Sequence, residues 1–185
     1  NKFGVNGKTF IQLVNYCKKS NYIELKCLSV HIGSQILNHK PYEKMLKAVN
    51  QILNKADYKF EFIDLGGGMG IQYNNNNEKL NYSKYNLAIT KFLKNHKTKI
   101  IFEPGRSIIG NTGILISKVV YIKKNERKNF IILDAAMNDL MRPALYGAKH
   151  TILPSLKSKK FSKKTYEFVG PICESTDKFL TLKKF

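Results

Sequence analysis

Four stretches of this sequence place chemically capable side chains directly after apolar runs. The sharpest is Ile100-Ile-Phe-Glu103-Pro-Gly105-Arg106-Ser107, where a carboxylate, a proline, a glycine and a guanidinium follow three large apolar residues. It reads as a short buried strand delivering charged groups into a turn at its C-terminal end, where α/β folds build their sites. The glycine lets an anion approach backbone N–H groups, and a buried Glu103 would need a cation or a protonated ring nitrogen opposite it. The plainer alternative is a strand-end turn whose Glu and Arg are solvated. His31-Ile-Gly-Ser34-Gln35 repeats the pattern, and Gly66-Gly67-Gly68 follows the apolar run 60–65 with glycines able to turn their N–H groups toward a phosphate. The fourth stretch, 168–177, carries Cys173 beside Glu174.

Arginine usage adds weight to two positions. Lys and Arg total 32, yet only Arg106, Arg127 and Arg142 are arginine, as expected if base composition has replaced arginine wherever lysine serves. Arg106 and Arg142 fall in motifs, Glu103-Pro-Gly-Arg106 and Met141-Arg142-Pro-Ala-Leu-Tyr146, whereas Arg127 lies in a polar run. A planar fork grips a carboxylate in a way an ammonium cannot, so Arg106 and Arg142 are each expected to hold an anion.

The net charge of +19 raises nucleic acid or an anionic membrane as a partner. The lysines, however, are scattered along the chain, and the densest run, 157–164, reads as a loop; the charge is a solvated lysine surface with some attraction for anionic ligands. No apolar run reaches membrane-spanning length. Cys17, Cys27 and Cys173 have no metal-type spacing, and an odd number points to a reducing compartment, by default the cytoplasm. The chain starts at Asn1 and ends at Phe185 within what reads as a strand, so it is expected to be a fragment.

These residues need elements to hold them. Apolar positions at helical spacing predict helices over 9–19, 42–55 and 82–97, alternating with strands over 23–32, 60–65 and the run leading to Glu103. Repeated β/α winding makes the strands parallel and puts the His31, Gly66 and Glu103 motifs at one end of the sheet. The spacing suits either a doubly wound sheet or a (β/α)8 barrel. No Gly-x-Gly-x-x-Gly or Gly-Lys-Ser/Thr occurs, which removes support for dinucleotide and Walker-type sites. The Asn-rich insertion 74–77 is polar and loop-like. From about residue 113 the texture becomes β-rich, with strands expected over 114–123 and 130–134.

Five motifs taken together resemble the diaminopimelate decarboxylases, pyridoxal-phosphate enzymes with an alanine-racemase-type barrel: His31-Ile-Gly-Ser-Gln35, Asp64-Leu-Gly-Gly-Gly68, Glu103-Pro-Gly-Arg106, Met137-Asn-Asp-Leu-Met-Arg-Pro-Ala-Leu-Tyr146 and Gly170-Pro-Ile-Cys-Glu-Ser175. The Gln35 after Gly33-Ser34 and the form of 137–146 are closer to this family than to its ornithine- and arginine-cleaving relatives. The resemblance implies an α/β fold: part of a (β/α)8 cofactor-binding barrel over 1–112, then part of a C-terminal β domain over 113–185. It implies that His31 stacks on the cofactor ring and that Ser34, Gly66, Gly67, Gly68 and the backbone around Gly105 and Arg106 hold its phosphate. Glu103 would pair with the pyridine nitrogen. Arg106, Arg142 and Tyr146 would bind the substrate carboxylate, Cys173 would protonate the carbanion, and Glu174 would recognise the distal amino group of meso-diaminopimelate. Cys173 and Glu174 reach a neighbouring subunit's site in this family, which implies a homodimer.

One departure is plain. The family's Schiff-base lysine sits in an early Tyr-Ala-x-Lys motif that is absent here, and its tyrosine beyond the Cys-Glu-Ser segment is absent too. The full protein is therefore expected to be an enzyme and this polypeptide alone inactive. Alternative expectations are a decarboxylase for another basic amino acid, a non-catalytic regulator that lost the lysine, and, more distantly, a basic nucleic-acid-binding module.

Overall fold

The computed structural model describes residues 2–73, 78–156 and 164–183. The Asn-rich insertion 74–77, residues 157–163 of the lysine run, and residues 184–185 lie outside them. The chain falls into two compact units, one of Asn1–Gln72 and Asn76–Gly113, the other of Tyr73–Asn75 and Ile114–Phe185.

The first unit alternates helix and strand: α1 (Gly7–Lys18), β1 (Cys27–Ser29), α2 (Lys40–Ala56), β2 (Phe62–Asp64), α3 (Tyr82–Asn95), β3 (Lys99–Ile101) and the single turn α4 (Arg106–Ile109). Asn6 and Asn81 start α1 and α3 by accepting from the N–H groups of Thr9 and Lys84, each at 2.9 Å. Pro41 opens α2, which ends on Asp57 in the left-handed region at φ 45°. The Lys18 ammonium covers that end, donating to the carbonyls of Ala56 at 3.0 Å and Asp57 at 2.6 Å. Apolar faces of the three helices close on Leu28 and Ile63 to form one core, with Val14, Tyr42, Val49 and Leu65 among its most buried side chains. Each such side chain contributes about 1.5–3 kcal/mol by leaving water.

The strands are parallel in the order β1-β2-β3, pairing Leu28 with Ile63 and Ile63 with Ile100. Alternation sends Leu28 and Ile63 into the helix-covered core and turns Cys27, Ser29, Phe62 and Asp64 to the other face. Two expectations are corrected here. The first strand is three residues long rather than ten, because strand length is set by the partner and β2 offers only three pairing residues. The strand leading to Glu103 is not buried: Ile101 and Phe102 are 39% and 42% exposed, since β3 is an edge strand with one face uncovered by the described residues.

The second unit contains β4 (Val119–Lys124), β5 (Asn129–Leu133), the short helix α5 (Arg142–Tyr146), β6 (Thr165–Val169) and β7 (Lys178–Lys183). The sheet order is β4-β5-β6-β7, antiparallel at both margins and parallel between β5 and β6. Ile131, Tyr166 and Phe168 form its core with Leu133, Ile152, Phe179 and Leu182 around them. Residues 114–118 stay outside the strand predicted to begin at 114; Ile114 and Ile116 are exposed and unpaired with any strand. Together the two units make an α/β fold built on sheets.

Candidate active site

The three strand-end motifs of the first unit meet at one end of its sheet. The Glu103 N–H donates to the Gly66 carbonyl at 2.9 Å, and the Gly67 N–H donates to His31 Nδ1 at 3.4 Å. The glycine loop thus has the β1 end on one side and the β3 end on the other. What demands glycine here is closeness of approach. A Cβ on Gly66 would stand 2.6 Å from the Val30 carbonyl oxygen and 2.8 Å from His31 Nδ1, and one on Gly67 would overlap the Glu103 carbonyl oxygen. The N–H groups of Gly66 and Gly67 are taken inside the protein, by Asp64 Oδ1 at 2.8 Å and by His31. The Gly68 N–H has no acceptor among the described residues.

Two side chains to which the sequence assigns no role, Asp64 of the glycine motif and Tyr42 of α2, support this loop. Asp64, only 8% exposed, accepts from Ser29 Oγ at 2.8 Å as well as from Gly66. Tyr42, fully buried and stacked on Tyr85 at 4.3 Å, donates its hydroxyl to the Gly67 carbonyl at 3.2 Å. Burial, with Tyr82 adding a little, pushes the Tyr42 hydroxyl up to about 12, so it remains a donor throughout the neutral range. His31 and Ser34 are exposed at the loop surface. Glu103 is also exposed, and its carboxylate has no cation or donor partner among the described residues.

Arg106 lies on α4, half-buried, with Nη1 donating to Gln35 Oε1 at 2.9 Å. Gln35 was part of a motif without a role of its own; here its amide also pairs with both backbone groups of Ile71. One open hollow in this unit lies at the opposite end of the strands, between residues such as Leu53, Phe60, His96 and Thr98, and none of the candidate residues lines it.

The remaining candidates belong to the second unit. Arg142 opens α5 and its guanidinium sits over the Tyr146 ring, 5.3 Å from the centroid. The Arg142 Nε is buried without a hydrogen-bond partner among the described residues, and Tyr146 is 72% exposed. Cys173 and Glu174 are exposed in the loop after β6. Hydrogen bonds from the Thr176 N–H at 3.4 Å and Ser175 Oγ at 3.1 Å keep the Glu174 carboxyl below its ordinary range. The organiser is Asp177, 3% exposed, whose oxygens accept from the Met137 N–H at 2.7 Å and the Ile172 N–H at 2.8 Å. It ties the segment before Arg142 to the loop bearing Cys173 and Glu174. Gly170 makes room for it, since a Cβ there would overlap the carboxylate.

Residues 16–184 match a model of the pyridoxal-dependent decarboxylase family, described as its C-terminal sheet domain. The chain belongs to the pyridoxal-dependent decarboxylases. Diaminopimelate decarboxylase of Aquifex aeolicus is 40% identical over 99% of this chain and 44% of its own length. The crystal structure of the Helicobacter pylori diaminopimelate decarboxylase complexed with L-lysine superposes with a TM-score of 0.88 at 40% identity, covering 98% of this chain and 46% of that one. The M. jannaschii enzyme in co-complex with L-lysine gives 0.89 at 29% identity over 100% and 45%. The chain spans less than half the length of these relatives.

The residues of this pyridoxal-dependent decarboxylase chain fit the family's cofactor. An unpartnered carboxylate after β3, an exposed imidazole bonded through Nδ1 after β1 and the Gly68 N–H in the loop between them supply an acceptor for a ring N–H, a planar surface and a donor for a phosphate oxygen. No group of three or more metal-ligating side chains occurs among the described residues, and no described helix is long and apolar enough to cross a membrane.

Proposed function

We propose that the full-length protein containing this chain decarboxylates meso-diaminopimelate to L-lysine and carbon dioxide with pyridoxal phosphate. The observation that carries this reading is Glu103, whose backbone N–H is bonded to the glycine loop beside His31 and whose carboxylate has no partner among the described residues, in a chain about 40% identical to diaminopimelate decarboxylases. Bound at this strand end, pyridoxal phosphate supplies an electron sink for the charge left when carbon dioxide departs. Glu103 holds the proton on the ring nitrogen, and His31 packs on the ring. Ser34, the loop of Gly66, Gly67 and Gly68, and the backbone of Gly105 and Arg106 would hold the phosphate, with Gly66 and Gly67 letting the strand ends close on the loop and Gly68 offering an N–H.

Arg106, Arg142 and Tyr146 grip the substrate carboxylate; the buried, unpartnered Nε of Arg142 supports that assignment. Cys173 delivers the proton that replaces carbon dioxide, and Glu174, kept ionised by its loop, receives the distal ammonium. In this reading 1–112 is part of a (β/α)8 barrel, whose interior would cover the open face of the parallel sheet, and 113–185 is part of the C-terminal β domain. The enzyme acts as a homodimer in the cytoplasm, where the free Cys17, Cys27 and Cys173 stay reduced. The test is to express the completed chain and look for the visible absorbance of bound pyridoxal phosphate and for carbon dioxide release from meso-diaminopimelate. Cofactor uptake with release from another basic amino acid alone would overturn the substrate; no cofactor uptake would overturn the whole reading.

A further inference from the structure

We propose that Gln35 is a positioning residue that aims the Arg106 guanidinium and thereby sets affinity for the substrate carboxylate; this rests on the reading above that Arg106 binds that carboxylate. The first observation is the backbone. Gln35 has φ 61°, a left-handed conformation that glycine or asparagine adopts far more readily than a long side chain. A glutamine at such a position calls for a use of its side chain.

The second observation is what the side chain does. Gln35 Nε2 donates to the Ile71 carbonyl at 2.6 Å, while Oε1 accepts from the Ile71 N–H at 3.3 Å. Pairing with both backbone groups of one residue fixes which end of the amide is oxygen. That oxygen then accepts from Arg106 Nη1 at 2.9 Å. Gly70 lets the two strands of chain come this close, because a Cβ there would lie 3.0 Å from the Gln35 carbonyl carbon.

The third point is chemical. A carboxylate in place of this amide would set an oxygen where Nε2 now donates to the Ile71 carbonyl and place a negative charge against the guanidinium. A neutral oxygen orients the fork without adding a negative charge beside it. Arg106→Lys would lose the planar fork that Gln35 aligns.

The experiment uses the full-length protein loaded with pyridoxal phosphate, comparing Gln35→Gly, Gln35→Glu, Arg106→Ala and the Gln35→Gly/Arg106→Ala double variant. Gln35→Gly suits the left-handed backbone and removes the side chain with its amide, so folding and cofactor absorbance are expected to match the parent. The expected result is a KM for meso-diaminopimelate raised at least tenfold with kcat within about threefold, and a matching loss of L-lysine affinity by calorimetry. Gln35→Glu is expected to raise KM as well, because it sets a negative charge against the guanidinium and loses the donor to the Ile71 carbonyl. In the Arg106→Ala background Gln35→Gly is expected to add less than twofold. Arg106→Ala raising KM while Gln35→Gly leaves it within twofold, or the two effects adding in full, overturns the inference alone. Arg106→Ala leaving both KM and L-lysine affinity unchanged places the failure in the assignment of Arg106 and overturns both.

Discussion

Replacing Asp177 is expected to loosen two loops at once. Its carboxylate is 3% exposed and accepts the Met137 N–H at 2.7 Å and the Ile172 N–H at 2.8 Å, distances typical of charge-assisted bonds. Such a bond contributes about 1.5–3 kcal/mol, and a buried donor left unpaired costs about 1–3 kcal/mol. Asp177→Asn keeps the volume but turns an NH2 toward one of the two N–H donors, so it should cost about 1.5–3 kcal/mol, the worth of one bond. Asp177→Ala loses both and should cost about 3–5 kcal/mol. Hydrogen exchange reads this locally. In the full-length protein with Asp177→Asn, the Met137 and Ile172 amides should exchange roughly ten- to a hundredfold faster, while amides of β2 in the other unit keep their rates. On the proposed substrate-binding roles of Arg142 and Glu174, which flank the loosened segments, KM should rise as well. Unchanged protection at both amides would refute the clasp; equal acceleration throughout the β4–β7 sheet would show that Asp177 supports the whole unit rather than these loops.

Three other changes have defined outcomes. Gly67→Ala puts a methyl group onto the Glu103 carbonyl oxygen, an overpacking of about 1–3 kcal/mol that should displace the β3 end and lower pyridoxal-phosphate retention; a full cofactor complement by absorbance would contradict it. Tyr42→Phe removes the bond to the Gly67 carbonyl and should lower stability by about 0.5–1.5 kcal/mol in denaturant unfolding, with no loss counting against the bond. Burial pushes the Glu167 carboxyl up, but Lys178 at 3.2 Å and Lys128 at 3.3 Å outweigh it and leave it below its ordinary range. A group depressed in the folded state stabilises above its unfolded pKa, and that stability is lost as pH falls through the folded value. The unfolding midpoint of Glu167→Gln should therefore fall below the parent's near pH 7 and converge with it in acid; a constant gap would exclude the linkage.

Helices α1, α2 and α3 were legible because their apolar positions repeat along a local stretch, and the bounds differ from expectation by only a few residues. The strand ends bearing His31, Gly66 and Glu103 were legible for a similar reason, as polar residues following an apolar run. Strand lengths were not, because β1 and β4 begin where a partner strand begins. The supporting contacts were illegible for a stronger reason: Gln35 reaches Arg106 across 71 positions, Asp177 reaches Met137 across 40, and Tyr42 reaches Gly67 across 25. Nothing local in the sequence marks such pairings. The only signals were a glutamine closing the His31 motif and an aspartate following the Cys173 loop.

The chain has 13 acidic residues against 32 basic ones, so where each carboxylate is engaged separates architecture from site. Asp64 and Asp177 hold backbone N–H groups at loop ends, Asp134 and Asp139 do the same around 117–139, and Glu24, Glu61 and Glu167 meet lysines. Among the described residues, Asp57, Glu103 and Glu126 have carboxylates with no partner. All three are exposed, so exposure cannot rank them. Position does. Asp57 ends α2 and Glu126 lies in the turn between β4 and β5, neither of them at a strand end that carries another motif. Glu103 instead follows a parallel strand at its C-terminal end, with its N–H fixed to the glycine loop and a fixed imidazole on that loop's other side. The function proposed above gives this unpaired carboxylate the ring N–H of pyridoxal phosphate as its partner.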